Sequence, residues 1–415
     1  MLSSKRQFFI NVLAFLILAA GFLAYAEECT LIVASGKSTA SGRPLMWKNR
    51  DTSQLLNKLM YFKGAKYKFI GLIDADDAEG KEIWAGLNEV GLAIMNSQAD
   101  DLSLKQKKYD GAGNGAFMKK ALGECATVDE FEKLLAREKG KWDLAANFGV
   151  IDANGGAAFF ETSSDYFTRF DTGDKKVAPF GYIVRTNFSY TSPDFLQGGG
   201  FIRFERMSHL AEMAWSTGQL EVKFILQQAA RDLNHEKLHS YPLSRPLPED
   251  PAEPLYINTN DTINRNSTAA AVVFSGAPSP DRPDLATMWV IIGQPISSVA
   301  IPVWPYAGRV PQAASAPGQE TCALNAFSRK LVAYLYPDRR GRMPQYLNVT
   351  RLRTYGGEGV LAKLFRIENQ VLERAQLQLQ VWEKKKESPE RVAEFQESLA
   401  DFVLQSLCRE FPDIR

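Results

Sequence analysis

The chain has 415 residues, 45% of them hydrophobic, and its formal net charge is +1 at pH 7. This length accommodates one large domain or two smaller ones, with ample apolar side chains for a core. A near-neutral charge argues against nucleic acid as the main partner, because phosphate binding needs a basic face. The sequence contains no CxxC or HExxH motif and no clustered His/Asp set, so we predict neither a metal site nor a cofactor.

The first residues have the features of a secretory signal peptide. In residues 1–26, two basic side chains precede a long apolar stretch, and Ala24-Tyr25-Ala26 forms a small-x-small cleavage motif. Cleavage there leaves residues 27–28 as a short propeptide, and removal of these two would make Cys29 the first residue of the mature chain. We therefore expect an exported protein, periplasmic or secreted.

Two other interpretations of this segment are less favourable. A lipidated cysteine normally follows a small residue, whereas Glu28 precedes Cys29. An uncleaved membrane anchor would need ~20 apolar residues, and the run here is about 16. The sequence contains no second apolar stretch of membrane length, so we expect no membrane contact once the signal peptide has been removed.

A cysteine at a mature N-terminus combines a nucleophile and a base in one residue. The thiol of Cys29 attacks a carbonyl carbon, and the free α-amine, with a reference pKa of about 8, accepts the thiol proton. The alternative is an ordinary cysteine just past a signal peptide. Three further cysteines, Cys125, Cys322 and Cys408, would meet an oxidising compartment on export. A Cys322–Cys408 disulfide with Cys125 buried is one pairing, although spacing does not determine connectivity.

The rest of the chain is divided into strand-rich and helix-rich parts. Alternating apolar runs between turn residues predict strands at 30–34, 44–49 and 66–74, a hairpin within 83–98, and a meander at 147–152, 157–162 and 166–171. Helical spacing predicts helices at 117–121, 128–137, 201–215 and 220–233, with Thr127 as an N-cap. Residues 241–254 hold five prolines and form a loop, and strands return at 269–275 and 287–293. Strands, then helices, then strands indicate α+β layers rather than βαβ units.

The C-terminal part is predicted to be helical. A small-residue linker at 313–318 is followed by two apolar stripes at helical spacing, and Ser388-Pro389 has the form of a helix start. We expect residues 319–415 to pack on a domain formed by residues 29–312. The same helices could instead cover a cleft or form a dimer contact, so a homo-oligomer stays an alternative.

Several segments, in this order, resemble the cysteine branch of the N-terminal nucleophile hydrolases. Within it they are similar to the isopenicillin-N acyltransferase and carcinine hydrolase group, and more distantly to bile-salt hydrolases and penicillin V acylases. The resemblance covers roughly residues 29–310. The segments that carry it are Cys29-Thr30-Leu31-Ile32-Val33, Trp47-Lys48-Asn49-Arg50-Asp51, Gly86-Leu87-Asn88-Glu89-Val90-Gly91-Leu92-Ala93-Ile94-Met95-Asn96, Val184-Arg185-Thr186-Asn187 and Phe201-Ile202-Arg203-Phe204.

The resemblance implies a four-layer αββα sandwich and a set of roles for individual residues. Cys29 would be the nucleophile, and Asp51, returned by a hairpin, would orient its α-ammonium group. Asn96 would donate to the oxyanion, and Asn187 would be a second polar anchor. Arg203 falls where bile-salt hydrolases have an active-site arginine. The structural alternatives are a turn-forming Asp51, asparagines that cap strand ends, and a surface Arg203 with Arg206 as its rival.

Two observations narrow the mechanism. Bile-salt hydrolases place Arg before the Asn of their signature, where this chain has Lys48, which favours the acyltransferase group. A papain-like enzyme would pair its cysteine with a histidine. The chain has only His209, His235 and His239, in predicted helices or at their ends. So few histidines fit a nucleophile that uses its own amine.

The sequence therefore predicts an exported amidohydrolase with a small-molecule amide substrate. The resemblance implies cleavage of a non-peptide or unusual amide, such as an N-acyl amine, an N-acyl amino acid, a β-lactam side chain or a bile-salt-like conjugate. Acyl transfer to an amine is the same chemistry with another second nucleophile. Removal of residues 27–28 could be autocatalytic. The alternatives are an N-terminal cysteine dipeptidase and a secreted binding protein that kept the fold without catalysis.

Overall fold

The computed structural model describes residues 28–102, 112–250, 252–337 and 343–414. The predicted signal peptide and Glu27 lie outside the described residues. Within the described ranges, no helix is both long and apolar enough to cross a membrane.

The described residues form fifteen strands. In chain order they are β1 Glu28–Ala34, β2 Leu45–Asp51, β3 Asn57–Lys63, β4 Lys68–Asp74, β5 Ala85–Asn88, β6 Ala93–Gln98, β7 Ala145–Ile151, β8 Ala157–Ser163, β9 Phe167–Asp171, β10 Tyr182–Arg185, β11 Tyr256–Asn258, β12 Thr268–Ser275, β13 Thr287–Ile292, β14 Ile301–Val303 and β15 Tyr346–Asn348. A first antiparallel sheet has the order β10-β1-β2-β12-β13-β14, and a second has the order β3-β4-β5-β6-β7-β8-β9. Strands β11 and β15 form a separate pair.

The longer helices in the described ranges are α1 Asn114–Glu124, α2 Val128–Glu138, α3 Phe201–Ser216, α4 Ala323–Leu335, α5 Val360–Lys384 and α6 Pro389–Glu410. Shorter helical segments lie at Val222–Phe224, Ile225–Ala229 and Val349–Leu352. The predicted caps are confirmed, because the side chain of Thr127 accepts from Glu130 N and that of Ser388 accepts from Arg391 N.

The two large sheets face each other across one hydrophobic core. Val33 of the first sheet lies in this core with Met95 and Phe159 of the second. Gly149 permits the close approach, since a Cβ atom there would lie 2.8 Å from Met95 and 2.9 Å from Val33. The sandwich is therefore tightly packed beside strand β1, which carries Cys29 at its start.

Alternation along the strands separates the inner and outer faces of each sheet. On β4, Ile70 and Leu72 join the core between the sheets, whereas Phe69 and Ile73 pack against α1 and α2. Helices α3, α4, α5 and α6 contribute side chains to the larger core on the side of the first sheet. Helices, sheet, sheet and helices make four layers, so the predicted αββα sandwich is confirmed.

The structure differs from the sequence-based expectations at two places. The helix predicted over 220–233 ends near Ala229. Beyond this point, Arg231 Nη1 donates to the Leu226 carbonyl at 2.6 Å, and Asn234 N donates to Asp232 Oδ1 at 3.1 Å. These side-chain contacts replace the hydrogen bonds that would continue a helix.

The Cys322–Cys408 disulfide is also absent, since no disulfide joins the cysteines of the described residues. Cys322 lies just before α4, where its thiol donates to the Asn57 carbonyl at 3.5 Å. Cys408 lies near the end of α6, at intermediate burial. Spacing along the chain had left this pairing open, and the fold gives Cys322 a backbone partner instead.

A buried ion pair joins the C-terminal helices to the sandwich. Glu368 of α5 accepts two hydrogen bonds from Arg231 at 2.8 Å, with side-chain exposures of 0% and 1%. Arg231 also donates to the Pro295 and Ser298 carbonyls, so the pair ties α5 to the loop after β13. Breaking it would leave a buried guanidinium group without its anion.

We expect Glu368→Ala to lower the free energy of unfolding by about 3–5 kcal/mol, the usual cost of removing one partner of a buried pair. Urea denaturation measures this loss. The matched control is Glu358→Ala, because Glu358 pairs with Arg366 at 3.2 Å with side-chain exposures of 71% and 48%. That variant should lose less than about 1 kcal/mol. Equal losses in both variants would contradict the role of the buried pair.

Candidate active site

The pairing of β1 with β2 sets the geometry around Cys29. Glu28 lies opposite Asp51, and Cys29 lies opposite Arg50. Directly opposed residues share a face of the sheet and successive residues alternate. Cys29 and Arg50 therefore face the second sheet, whereas Glu28 and Asp51 face the layer that contains α3. Asp51 thus lies beside the residue that precedes Cys29, next to the bond that maturation would cut.

Asn187 holds the backbone nitrogen of Cys29. The Cys29 N–H donates to Asn187 Oδ1 at 2.9 Å, and Asn187 Nδ2 donates to the Gln98 carbonyl at 2.8 Å. The second bond fixes which end of the amide faces Cys29. Cys29 itself is 1% exposed. Asn187, predicted to be a second polar anchor, therefore contacts the Cys29 nitrogen, which would become the α-amine.

Arg203 lies in the first turn of α3 and reaches Cys29 from the other side. Its Nη1 donates to the Cys29 carbonyl at 2.5 Å and to Thr30 Oγ1 at 3.0 Å, and its Nη2 donates to Asn187 Oδ1 at 3.0 Å. Gly200, with φ of 79°, makes room, because a Cβ atom there would lie 2.6 Å from Arg203 Nη2. Arg203 is 0% exposed, so protein groups rather than solvent surround it.

Arg206, the rival, points elsewhere. Its guanidinium group pairs with Asp232 through contacts of 2.9 and 2.7 Å. The structure thus brings Arg203 to Cys29 and places Arg206 in a separate ion pair.

Asp51 is held by residues that precede and begin β12. Thr268 Oγ1 donates to Asp51 Oδ1 at 2.6 Å, and Arg265 Nε donates to Asp51 Oδ2 at 3.1 Å. Burial raises the pKa of Asp51, and the nearby charges of Arg265 and Arg203 offset part of this rise. The carboxylate is thus fixed in orientation beside the Glu28–Cys29 bond.

Glu28 bridges the two arginines. Its Oε2 accepts from Arg203 Nη2 at 2.7 Å and from Arg265 Nη2. Burial raises the pKa of the Glu28 carboxyl, but Arg265 and Arg203 outweigh burial and hold this pKa below its ordinary value. Glu28 is therefore the counter-ion that the two guanidinium groups share.

Asn96 lies on β6 of the second sheet and contacts Lys48. Lys48 Nζ donates to Asn96 Oδ1 at 2.9 Å and to the Trp84 carbonyl at 3.1 Å. Asn96 and Lys48 are each 1% exposed. Because an ammonium group occupies the carbonyl end of the amide, the Nδ2 end is the one that can donate to a substrate. Lys48, whose role the sequence left open, is thus placed to orient Asn96.

The other titratable groups considered from sequence lie apart from this cluster. The rings of His235 and His239 lie near each other, with centroids 5.9 Å apart, and His209 on α3 contacts Glu236 at 3.3 Å. Burial raises the pKa of Cys125 to about 12, with further upward contributions from Glu130 and Glu124. A thiol with that pKa is almost entirely protonated at neutral pH, which makes it a poor nucleophile.

The cluster contains residues that the sequence did not single out. Arg265 and Thr268 contact Asp51, and Glu28 enters the site itself. Residues 258–268 are almost all polar and lead into the apolar run 269–274 of β12. Such a segment could have drawn attention as a functional loop. Nothing local showed that it would fold back onto β2.

A comparison with models of protein families identifies the family of this chain. Cys29 is the second residue of the first strand of an αββα sandwich, the arrangement expected of an N-terminal nucleophile hydrolase. The chain belongs to the acyl-coenzyme A:6-aminopenicillanic acid acyl-transferase family, whose model matches residues 38–249, just over half of the chain. This match contains Asp51, Asn96, Asn187 and Arg203. The predicted family is confirmed, and membership places the chain among amide-hydrolysing or acyl-transferring enzymes.

Solved structures show distant similarity. Penicillin V acylase from Agrobacterium tumefaciens is 14% identical, with 66% of this chain and 86% of that chain covered and a TM-score of 0.41. A mutant form of conjugated bile acid hydrolase from Clostridium perfringens is 10% identical, with 66% and 92% covered and a TM-score of 0.41. The N-acylethanolamine-hydrolyzing acid amidase ortholog of Caenorhabditis elegans is 13% identical, with 63% and 100% covered and a TM-score of 0.35. A search of curated protein sequences found no match.

Proposed function

We propose that the mature protein is an exported N-terminal-cysteine amidohydrolase that cleaves a small-molecule amide outside peptide bonds. The observation that carries the proposal is the hydrogen bond from the Cys29 nitrogen to Asn187, within a cluster that also contains Arg203 and Asp51. Asn187 and Arg203 contact the backbone of Cys29, and none of the three histidines belongs to this cluster. Such an arrangement suits a nucleophile whose base is its own α-amine.

Maturation would turn this arrangement into a working site. Loss of residues 27–28 would convert the amide nitrogen of Cys29, which is 1% exposed, into a free amine near the start of β1. Asn187 Oδ1 would then accept from the amine, and Asp51 would lie next to it. Each contact favours the orientation in which the amine can take the thiol proton.

The reaction follows from these positions. The Cys29 thiolate attacks the amide carbonyl carbon while the α-amine holds the thiol proton, and Asn96 Nδ2 donates to the oxyanion. The C–N bond breaks, the leaving amine takes the proton, and a thioester remains on Cys29. Water attacks the thioester, which releases a carboxylic acid and restores the thiol. An amine acceptor in place of water would give acyl transfer by the same steps.

The N-terminus of the active protein tests this proposal. We expect intact-mass and N-terminal analysis of active enzyme to find Cys29 as the first residue, because an acylated amine cannot accept the thiol proton. Activity against neutral N-acyl amides should rise in step with the fraction processed. Full activity in a protein that still carries Glu28 would overturn the mechanism.

A further inference from the structure

Glu28 shows what the two arginines beside Cys29 can bind. Its carboxylate is hydrogen-bonded by both Arg203 and Arg265. The Glu28 side chain is 35% exposed, whereas the side chains of Arg203 and Arg265 are 0% and 10% exposed. The guanidinium groups thus form the floor of a site whose occupant can approach from solvent.

Loss of Glu28 would leave Arg203 without a hydrogen-bonded anion. In the described residues, its remaining hydrogen bonds go to the Cys29 carbonyl, Thr30 Oγ1 and Asn187 Oδ1, which are all neutral. A buried guanidinium group without a hydrogen-bonded anion is costly, because burial has removed its hydration. This end of the site therefore favours a new carboxylate.

Arg265 retains two carboxylates, but they do not replace Glu28. Asp51 is shared between Arg265 and Thr268. Asp261 lies 3.7 Å from Arg265 and is 44% exposed, so solvent screens this contact. In the mature chain the α-amine of Cys29 would add further positive charge when protonated. The balance next to Cys29 thus shifts toward an excess of positive charge.

Glu28 also indicates which part of a substrate the site would hold. The bond that maturation cuts joins the Glu28 carbonyl to the Cys29 nitrogen, so Glu28 is the acyl group of that reaction. In autocatalytic cleavage the Cys29 Sγ–C bond forms, the C–N bond breaks, and the amine gains the thiol proton. Water then attacks the thioester and releases the Glu28 carboxylic acid. A substrate forms the same kind of thioester, so the site next to the Glu28 side chain belongs to the acyl group.

We propose that the mature enzyme prefers amides whose acyl group ends in a second carboxylate, held between Arg203 and Arg265. In Glu28 the Cα, Cβ and Cγ atoms separate the carbonyl from the carboxylate, which is the length of a glutaryl group. The inference rests on the proposed function in one respect, the removal of Glu28.

Hydrolysis of matched substrates tests the preference. The processed enzyme is assayed with the glutaryl and 4-carbamoylbutanoyl amides of 7-amino-4-methylcoumarin, which have the same length and differ in one charge. We expect kcat/KM to favour the glutaryl amide by about 10–100-fold, the range for a hydrogen-bonded charge. Succinyl and adipoyl amides should fall below glutaryl. Equal rates for the charged and neutral amides would overturn the inference and leave the proposed function standing.

The amine side serves as a second comparison. Hexanoyl-glycine and hexanoyl-glycinamide place the charge on the leaving group instead of the acyl group. We expect a ratio near one between them. A large preference for the free carboxylate here, with none among the glutaryl pair, would overturn the assignment to the acyl side.

Binding separates the two proposals. Calorimetric titration should show that glutarate binds the processed enzyme at least about tenfold more tightly than glutaramide, the uncharged diamide of the same length, does. A Cys29→Ala precursor, shown by mass to retain Glu28, should bind neither. Binding of glutarate without hydrolysis of any amide would overturn the proposed function and retain the carboxylate site. Equal affinity for glutarate and glutaramide would overturn the inference.

A pair of variants on one helix supplies the residue-level control. Arg203→Gln should bring the ratio of glutaryl to 4-carbamoylbutanoyl kcat/KM close to one, whatever happens to the absolute rate. Arg206→Gln, one turn further along α3 and paired with Asp232, should leave the ratio unchanged. A ratio that survives Arg203→Gln would place the carboxylate elsewhere.

Discussion

Cys29→Ala should reduce amide hydrolysis by at least about 10⁴-fold, because it removes the atom that attacks the carbonyl and leaves only binding and oxyanion contacts. The measurement is initial rate with a neutral N-acyl amide under saturating substrate. Melting temperature should change little, since alanine fits the site of a small buried side chain.

Cys125→Ala is the matched control for this loss. Cys125 is also buried, at 3% exposure, but it lies in the core between the second sheet and its helices. Its loss should leave turnover within about twofold of the parent, with a modest cost in stability. Iodoacetamide should likewise modify Cys29 of the processed enzyme before Cys125, whose pKa is raised to about 12. Comparable losses from both alanine variants would remove Cys29 from its proposed role.

The same Cys29→Ala protein reports on maturation. If the thiol cuts its own preceding bond, the variant should accumulate with residues 27–28 attached. A processed Cys29→Ala protein would show that an outside protease removes them.

The first hairpin illustrates what the sequence could predict. Residues 30–34 and 44–49 have strong strand patterns, and the observed β1 and β2 extend them by two residues at the ends that carry Glu28 and Asp51. The outermost of these additional residues are charged and do not look like strand formers. They pair because their charges are met by Arg203 and Arg265, which arrive from far along the chain. Tertiary contacts override local propensity at the place where the site is built.

Arg265 shows where sequence reasoning stopped. It reaches Asp51 across a separation of 214 residues, because β12 pairs with β2 and sets Thr268 opposite Asp51. Strand order of this kind is not encoded in local patterns. Arg203, in contrast, was found through its resemblance to a known motif, and the helix that carries it was predicted from periodicity. The sequence could thus predict a site residue on a regular helix, such as Arg203, but not one in the loop before a strand, such as Arg265.

Lys48 shows a different limit. The sequence marked Lys48 as a departure from a related signature, but a lysine among the four consecutive polar residues that end this strand has no partner that the sequence reveals. In the fold, Lys48 lies between the two sheets and donates to Asn96. The lysine that stands where bile-salt hydrolases have an arginine therefore orients the amide of Asn96. The two residues are best tested together.

Asn96→Ala should lower kcat by about 10²–10³-fold, the usual effect of losing one oxyanion donor. KM should stay nearly constant, because this contact strengthens mainly as charge develops on the oxygen.

The control is Asn88→Ala on the adjacent strand. Asn88 bonds to the Leu122 and Cys125 carbonyls and to Leu92 N, so its loss should reduce stability rather than kcat. Lys48→Met should give a smaller fall in kcat, since the amide of Asn96 could then turn. A rise in KM at constant kcat in Asn96→Ala would make Asn96 a substrate-binding residue, and a fall in melting temperature matching that of Asn88→Ala would make it structural.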